Sequence, residues 1–136
     1  MPACGPWCIL AAPWAVPGAI AMPRRYVQLD VFASRPGTGN PLGAVLDAEG
    51  LDTASMQAIA AWLNLSETVF FLPPDAGADY RIRIFTPGSE LPFAGHPSVG
   101  AAWLATTHGL ATPRDGRLVQ QCTAGLLPAE VHGDPL

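Results

Sequence analysis

The sequence predicts an α+β fold in which short, mostly antiparallel strands wrap around one central buried helix, with a second helix outside. Three observations carry that expectation. Fifteen prolines and fourteen glycines in 136 residues divide the chain into short segments. The runs Tyr26 to Phe32 and Tyr80 to Phe85 alternate with the period of a half-buried strand. The stretch Val99 to Ala105 has no polar face over two helical turns, and a helix that is apolar all round is normally enclosed.

Residues 1–25 are read as a leader outside the fold. Residues 1–22 carry no charged side chain, and Pro6, Pro13 and Pro17 interrupt their apolar run, so a membrane helix is disfavoured. Ala19-Ile20-Ala21 looks like a secretory cleavage site, but no Lys or Arg precedes the apolar run. The natural beginning is therefore placed at Met22. Cys4 and Cys8 have C-x3-C spacing, not the C-x-x-C of redox motifs. With Cys122 they make an odd set, and a reducing, cytoplasmic compartment is expected.

The elements follow in order. Val27, Leu29 and Val31 line one face of the first strand, and Arg35 to Pro41 is a breaker-rich loop. Leu42 to Leu46 forms a second strand, closed by a turn at Asp47 to Gly50. Asp52 or Thr53 then caps a helix to about Leu63, with Met56, Ile59, Ala60 and Leu63 on its inward stripe. Thr68 to Leu72 and Tyr80 to Phe85 are strands, the second with Arg81 and Arg83 on its wet face. The buried helix is expected to start near Pro97 at its first position and to end near His108, with Gly109 beyond it. Arg117 to Cys122 and Leu126 to Val131 are strands joined at Thr123-Ala124-Gly125.

Composition excludes several functions. A net charge of −4 with seven Lys and Arg gives no footprint for nucleic acid or an anionic membrane. His96, His108 and His132 are too far apart to build a metal site from one element. No G-x-S-x-G, P-loop or G-x-G-x-x-G run occurs.

Two places remain for chemistry. Gly95 lets backbone approach a ligand closely, and after Pro97 the amides of Ser98 and Val99 would point from a helix N-terminus. That makes a cup for a carboxylate or an enolate oxygen, with His96 as a nearby donor. The plainer alternative is that His96 and Ser98 only cap the helix. Glu67, at a helix-to-strand junction before an apolar strand, would be partly desolvated; desolvation favours the protonated carboxyl and suits proton exchange with carbon. Its alternative is a solvated turn. Glu90 competes for the role but sits in what reads as an exposed turn.

Six segments together, in order and spacing, resemble the PhzF-like family within the diaminopimelate-epimerase-like superfamily. They are Gln28-Leu29-Asp30-Val31-Phe32, Gly39-Asn40-Pro41-Leu42, Asn64-Leu65-Ser66-Glu67-Thr68, Tyr80 to Pro87, Glu90 to Pro97, and Ala124-Gly125-Leu126. The resemblance implies two similar lobes with a cleft between them, residues 26–136 being the N-terminal one. It implies a cofactor-independent isomerase acting on a small carboxylated metabolite, with phenazine-type biosynthesis as one setting and homodimers among full-length members. Glu67 maps onto the family's proton-shuttling residue, and Gly95, His96, Pro97 and Ser98 onto its substrate-holding turn. Asn40 and Ser66 would line the same cleft. Related epimerases carry a cysteine base where Gly95 stands, so a two-cysteine mechanism is disfavoured. Members are about twice as long, and the facing wall comes from the second lobe. Two alternatives follow: a catalytically inactive fragment, or a small-molecule binding module without chemistry.

Overall fold

The computed structural model describes residues 23–132. The cleavage-site reading, Cys4 and Cys8 fall in residues 1–22, outside that range. Arg24 and Arg25, grouped above with the leader, are tied to the fold. Arg24 donates to the carbonyls of Asp47 and Glu49, and the Arg25 carbonyl accepts from the Leu46 amide. The Arg25 guanidinium also grips the Asp47 carboxylate, holding that carboxyl down at about 2. Both side chains are about half exposed, so water and salt screen the pair and it adds little stability.

The chain runs β1 (Tyr26–Val31), β2 (Asn40–Val45), α1 (Thr53–Leu63), β3 (Glu67–Leu72), β4 (Tyr80–Phe85), β5 (Glu90–Leu91), α2 (Gly95–Thr107), β6 (Arg117–Cys122) and β7 (Gly125–Glu130). One sheet has the order β1-β2-β3-β4-β6-β7, with β5 added against β4. Four of its six pairings are antiparallel; β2–β3 and β4–β6 are parallel. Parallel neighbours need a crossover, and α1 and α2 supply the two. The α+β expectation of mostly antiparallel strands about a helix is met.

Alternation along each strand decides which helix a side chain meets. Val69 and Phe71 of β3 join Leu42, Ile82 and Ile84 in the core against α2. Phe70, between them, faces the other way with Phe85 and the α1 residues Met56 and Ala60. The Phe70 and Phe85 rings meet edge to face at 5.4 Å. Helix α2 touches β1, β2, β3, β4 and β6, so the sheet curls around it. Enclosure is not complete. Val99 and Trp103 remain about half exposed, flanked by the two edge strands β1 and β7.

Helix boundaries follow local chemistry. The Asp52 carboxylate accepts from the Ser55 amide at 2.7 Å and caps α1. Asn64 ends it in the left-handed region at φ 52°, which asparagine tolerates. Gly109 turns the chain after α2 at φ 66°, as expected. The start of α2 departs from expectation. It begins at Gly95, two residues before Pro97, so the proline is third in the helix. Its missing N–H is harmless anywhere in the first turn, which is why proline alone does not fix the start.

Arg83 and Glu90 also correct the sequence reading. Arg83 is not on a wet face, and Glu90 is not in a free turn. The β4–β5 pairing brings them together, each about three-quarters buried, with two bonds of 2.7 Å. The Thr53 hydroxyl accepts from the same guanidinium, which lies 5.3 Å from the Phe85 ring centre. Hydrogen bonding from Arg83 holds the Glu90 carboxyl below its ordinary 4.5, against an opposing push from burial.

Two predictions follow from the packing and this pair. A methyl group at Gly100 would stand 2.5 Å from Leu42 Cδ2 and 3.0 Å from Val31 Cγ2, inside the core. Gly100→Ala should therefore destabilise by about 1–3 kcal/mol, read as a lower urea midpoint at unchanged slope; an unchanged midpoint would contradict the close approach. Because folding lowers the Glu90 value, the pair's contribution is complete above 4.5 and is lost as pH falls through the folded value. Melting temperature should then fall less in Glu90→Gln than in wild type between about pH 6 and pH 3. Parallel profiles would mean the pair contributes nothing.

Candidate active site

The alternation that sends Val69 and Phe71 toward α2 sends Glu67 there as well, two residues earlier in β3. Asn64 makes the turn that delivers it: the left-handed residue stops α1, and Leu65 and Ser66 lead into the strand. From the other side α2 starts at Gly95 behind an extended Ala94, which places His96 second in the helix. The result is a contact between two elements distant in sequence. His96 Nε2 lies 2.9 Å from Glu67 Oε2, with the side chains 15% and 17% exposed. The distance is that of an ion pair, but the ring nitrogen is not well aimed at the oxygen. Neither atom completes a directed hydrogen bond, and both are buried.

The start of α2 leaves different amides free from those expected. The Ser98 amide, expected to be free, donates to the Ala94 carbonyl at 3.2 Å. The amides left over by the helix start are those of Gly95 and His96; Pro97 has none. Gly95 is exposed, with open space where a side chain would be. The capping alternative does not hold either, because no side chain caps Ala94. The Ser98 hydroxyl donates to the Ala94 carbonyl at 2.8 Å and accepts from Gln120 Nε2 at 3.0 Å, so it is turned toward the sheet.

Asn40 opens β2 and is exposed. Leu42 is the register partner of Glu67, and Asn40 lies two residues before Leu42. It therefore shares the face of Glu67, one side-chain row away, about 7 Å along the strand. Ser66 is exposed immediately before Glu67. Glu67, His96, Gly95 and Asn40 thus gather at one end of the sheet, while Pro97 is buried and Ser98 points elsewhere. Glu90 drops out as a competing base, since Arg83 occupies both its oxygens.

Sequence reasoning missed Gln120. It is 2% exposed, accepts from the Tyr80 hydroxyl at 3.0 Å, and supports Ser98. The available signal was its alternation with inward Leu118 and Cys122. A groove of about 440 Å³ runs along α2 and β7 and includes Gly95, Ser98, Trp103 and Gln120. Neither Glu67 nor His96 lines that groove. Among the described residues no three His, Cys, Asp or Glu are placed to hold a metal ion, and no helix is long and apolar enough to cross a membrane.

Known proteins are similar to this chain in sequence and fold. The chain is 46% identical over 104 residues to the trans-2,3-dihydro-3-hydroxyanthranilate isomerase of Pseudomonas aeruginosa, covering 76% of this chain and 36% of that protein. A PhzF-family phenazine biosynthesis protein of Bacillus anthracis superposes with a TM-score of 0.74 at 38% identity, over 83% of this chain and 38% of that one. A hydroxyproline epimerase of Agrobacterium vitis shares the fold alone, with a TM-score of 0.57 at 13% identity, over 80% of this chain and 38% of that one. The chain thus spans little more than a third of the length of each of these three proteins. The family described as phenazine biosynthesis-like protein (PhzC-PhzF) matches residues 29–135, and the chain belongs to that family.

Proposed function

We propose that this chain supplies one wall of a cofactor-independent isomerase site, in which Glu67 moves a proton between carbons of a small carboxylated metabolite. The observation that carries the reading is the 2.9 Å approach of His96 to Glu67 beside the unbonded amides of Gly95 and His96. As a carboxylate, Glu67 would take a proton from one carbon. As the acid it would return that proton to another, leaving the substrate isomerised with no change in oxidation state. Glu67 Oε2 lies against His96, which leaves Oε1 to meet the substrate. The delocalised charge formed in between is held by the helix-start amides and the imidazole. Asn40 and Ser66 border the same position, and Ser98 supports the turn from behind. The isomerase relatives support this chemistry by name, and an anthranilate skeleton carries the carboxylate the amides would bind. The facing wall comes from a second lobe.

Two measurements test the reading. In a protein that joins this chain to a second lobe, Glu67→Gln should lower turnover of trans-2,3-dihydro-3-hydroxyanthranilate by about 10²- to 10⁴-fold. Retention of wild-type turnover would remove Glu67 from the mechanism. Titration of the 136-residue chain with 3-hydroxyanthranilate should shift the amide resonances of Gly95 and His96, and benzyl alcohol, lacking the carboxylate, should not. Equal shifts with both would deny the anion cup. Carboxylate binding that Glu67→Gln leaves unchanged, with no turnover in the wild type, would instead favour a binding module.

A further inference from the structure

We infer that Gln120 is a positioning residue for His96, acting through Ser98 and the start of α2; the inference rests on the role proposed above for the Glu67–His96 pair. Gln120 is one of two buried polar residues among those described, the other being Thr68. Burying a carboxamide is costly unless its hydrogen bonds are made, and here both ends are engaged. The Tyr80 hydroxyl donates to Oε1 at 3.0 Å, which fixes the amide's orientation and turns Nε2 toward Ser98. Ser98 Oγ can accept from Nε2 because its own hydrogen goes to the Ala94 carbonyl at 2.8 Å. The chain of donors therefore has one direction, from Gln120 to Ser98 to Ala94.

Its endpoint gives it a function. Ala94 precedes the first turn of α2 and no side chain caps it. The carbonyl of Ala94 accepts from both the hydroxyl and the amide of Ser98, and this closes the turn that carries Gly95 and His96. The same hairpin grips the chain upstream: the Ala124 amide, in the β6–β7 turn, donates to the Pro92 carbonyl at 3.1 Å. His96 is thus held between two attachments to one hairpin. Its Nε2 makes no directed bond of its own, so backbone placement decides where the ring sits against Glu67. This also gives a role to the Ala124-Gly125-Leu126 segment, which the acid/base reading leaves unused.

The test is NMR of the 136-residue chain, using the ring resonances of His96 with His108 and His132 as internal controls. Ser98→Ala and Gln120→Met should each move the His96 resonances in the same direction, and the double variant should move them no further than the larger single. Hydrogen-exchange protection at the Ser98 amide should fall about 3- to 10-fold, the scale of one hydrogen bond. Ser98→Thr, which keeps the hydroxyl, should restore the His96 resonances. A lowered melting temperature with His96 unmoved would overturn the proposal and leave Gln120 a core residue only. Should Gln120→Met fail to fold, Ser98→Ala, at a half-buried position, decides alone: an unmoved His96 overturns the proposal. These readouts need no turnover. Loss of the Glu67 assignment with the shifts intact would therefore be distinguished from loss of the Gln120 role.

Discussion

The close seating of α2 on the sheet is the constraint on which the candidate site depends. Gly100 lies one helical turn after His96, so the two share a face. Gly100 packs on Leu42, and Leu42 is the register partner of Glu67. The same strip of helix therefore meets the same strip of sheet twice. The first meeting is apolar, glycine against leucine; the second is polar, imidazole against carboxylate. A side chain at position 100 would lift the helix by a fraction of the distance that makes His96 and Glu67 neighbours. Core packing here sets the geometry of the polar pair directly.

The two sheet faces use their carboxylates differently. On the α1 face Glu90 is saturated: Arg83 approaches both oxygens in a fork, and an aromatic ring lies beneath the guanidinium. A carboxylate so bound is structural, since giving it a proton breaks a formed pair. On the α2 face Glu67 meets a single imidazole at ion-pair distance without a directed bond. It lies at the end of the sheet, near unbonded helix amides. The contrast is one of satisfied against unsatisfied hydrogen-bonding capacity, and it separates two glutamates that a sequence count treats alike.

What the sequence made legible was what local periodicity determines. Helix α1 runs from its Asp52 cap to Leu63 because cap and stripe agree. The strands at 26–31 and 80–85 follow from alternation, whereas the face taken by Glu67 does not, because Thr68 to Leu72 shows no alternation and marks a strand that starts after it. The start of α2 was not legible, because proline fits the first and the third helical positions equally. That two-residue error moved the free helix-start amides from Ser98 and Val99 to Gly95 and His96. The Arg83–Glu90 pair and the Gln120–Ser98 bond depend on strand pairing, which no single segment specifies. The exposure of Val99 and Trp103 escaped notice for a similar reason: an all-apolar helix says that it is covered, not by what.

That open side bears on how the proposed chemistry would work. Interactions of helix amides and imidazole with a developing negative charge are weakened by water and strengthened when it is excluded. In this chain the Glu67 and His96 side chains keep 17% and 15% of their exposure, so water reaches part of each. A facing lobe would add little to the positions of these groups, which the α2–sheet contact and the β6–β7 hairpin already hold. Its main physical contribution would be to displace water from one side of a preorganised wall and bring its own groups to the substrate. On this account the division of labour between lobes is between placement and enclosure, and the residues of this chain carry the placement.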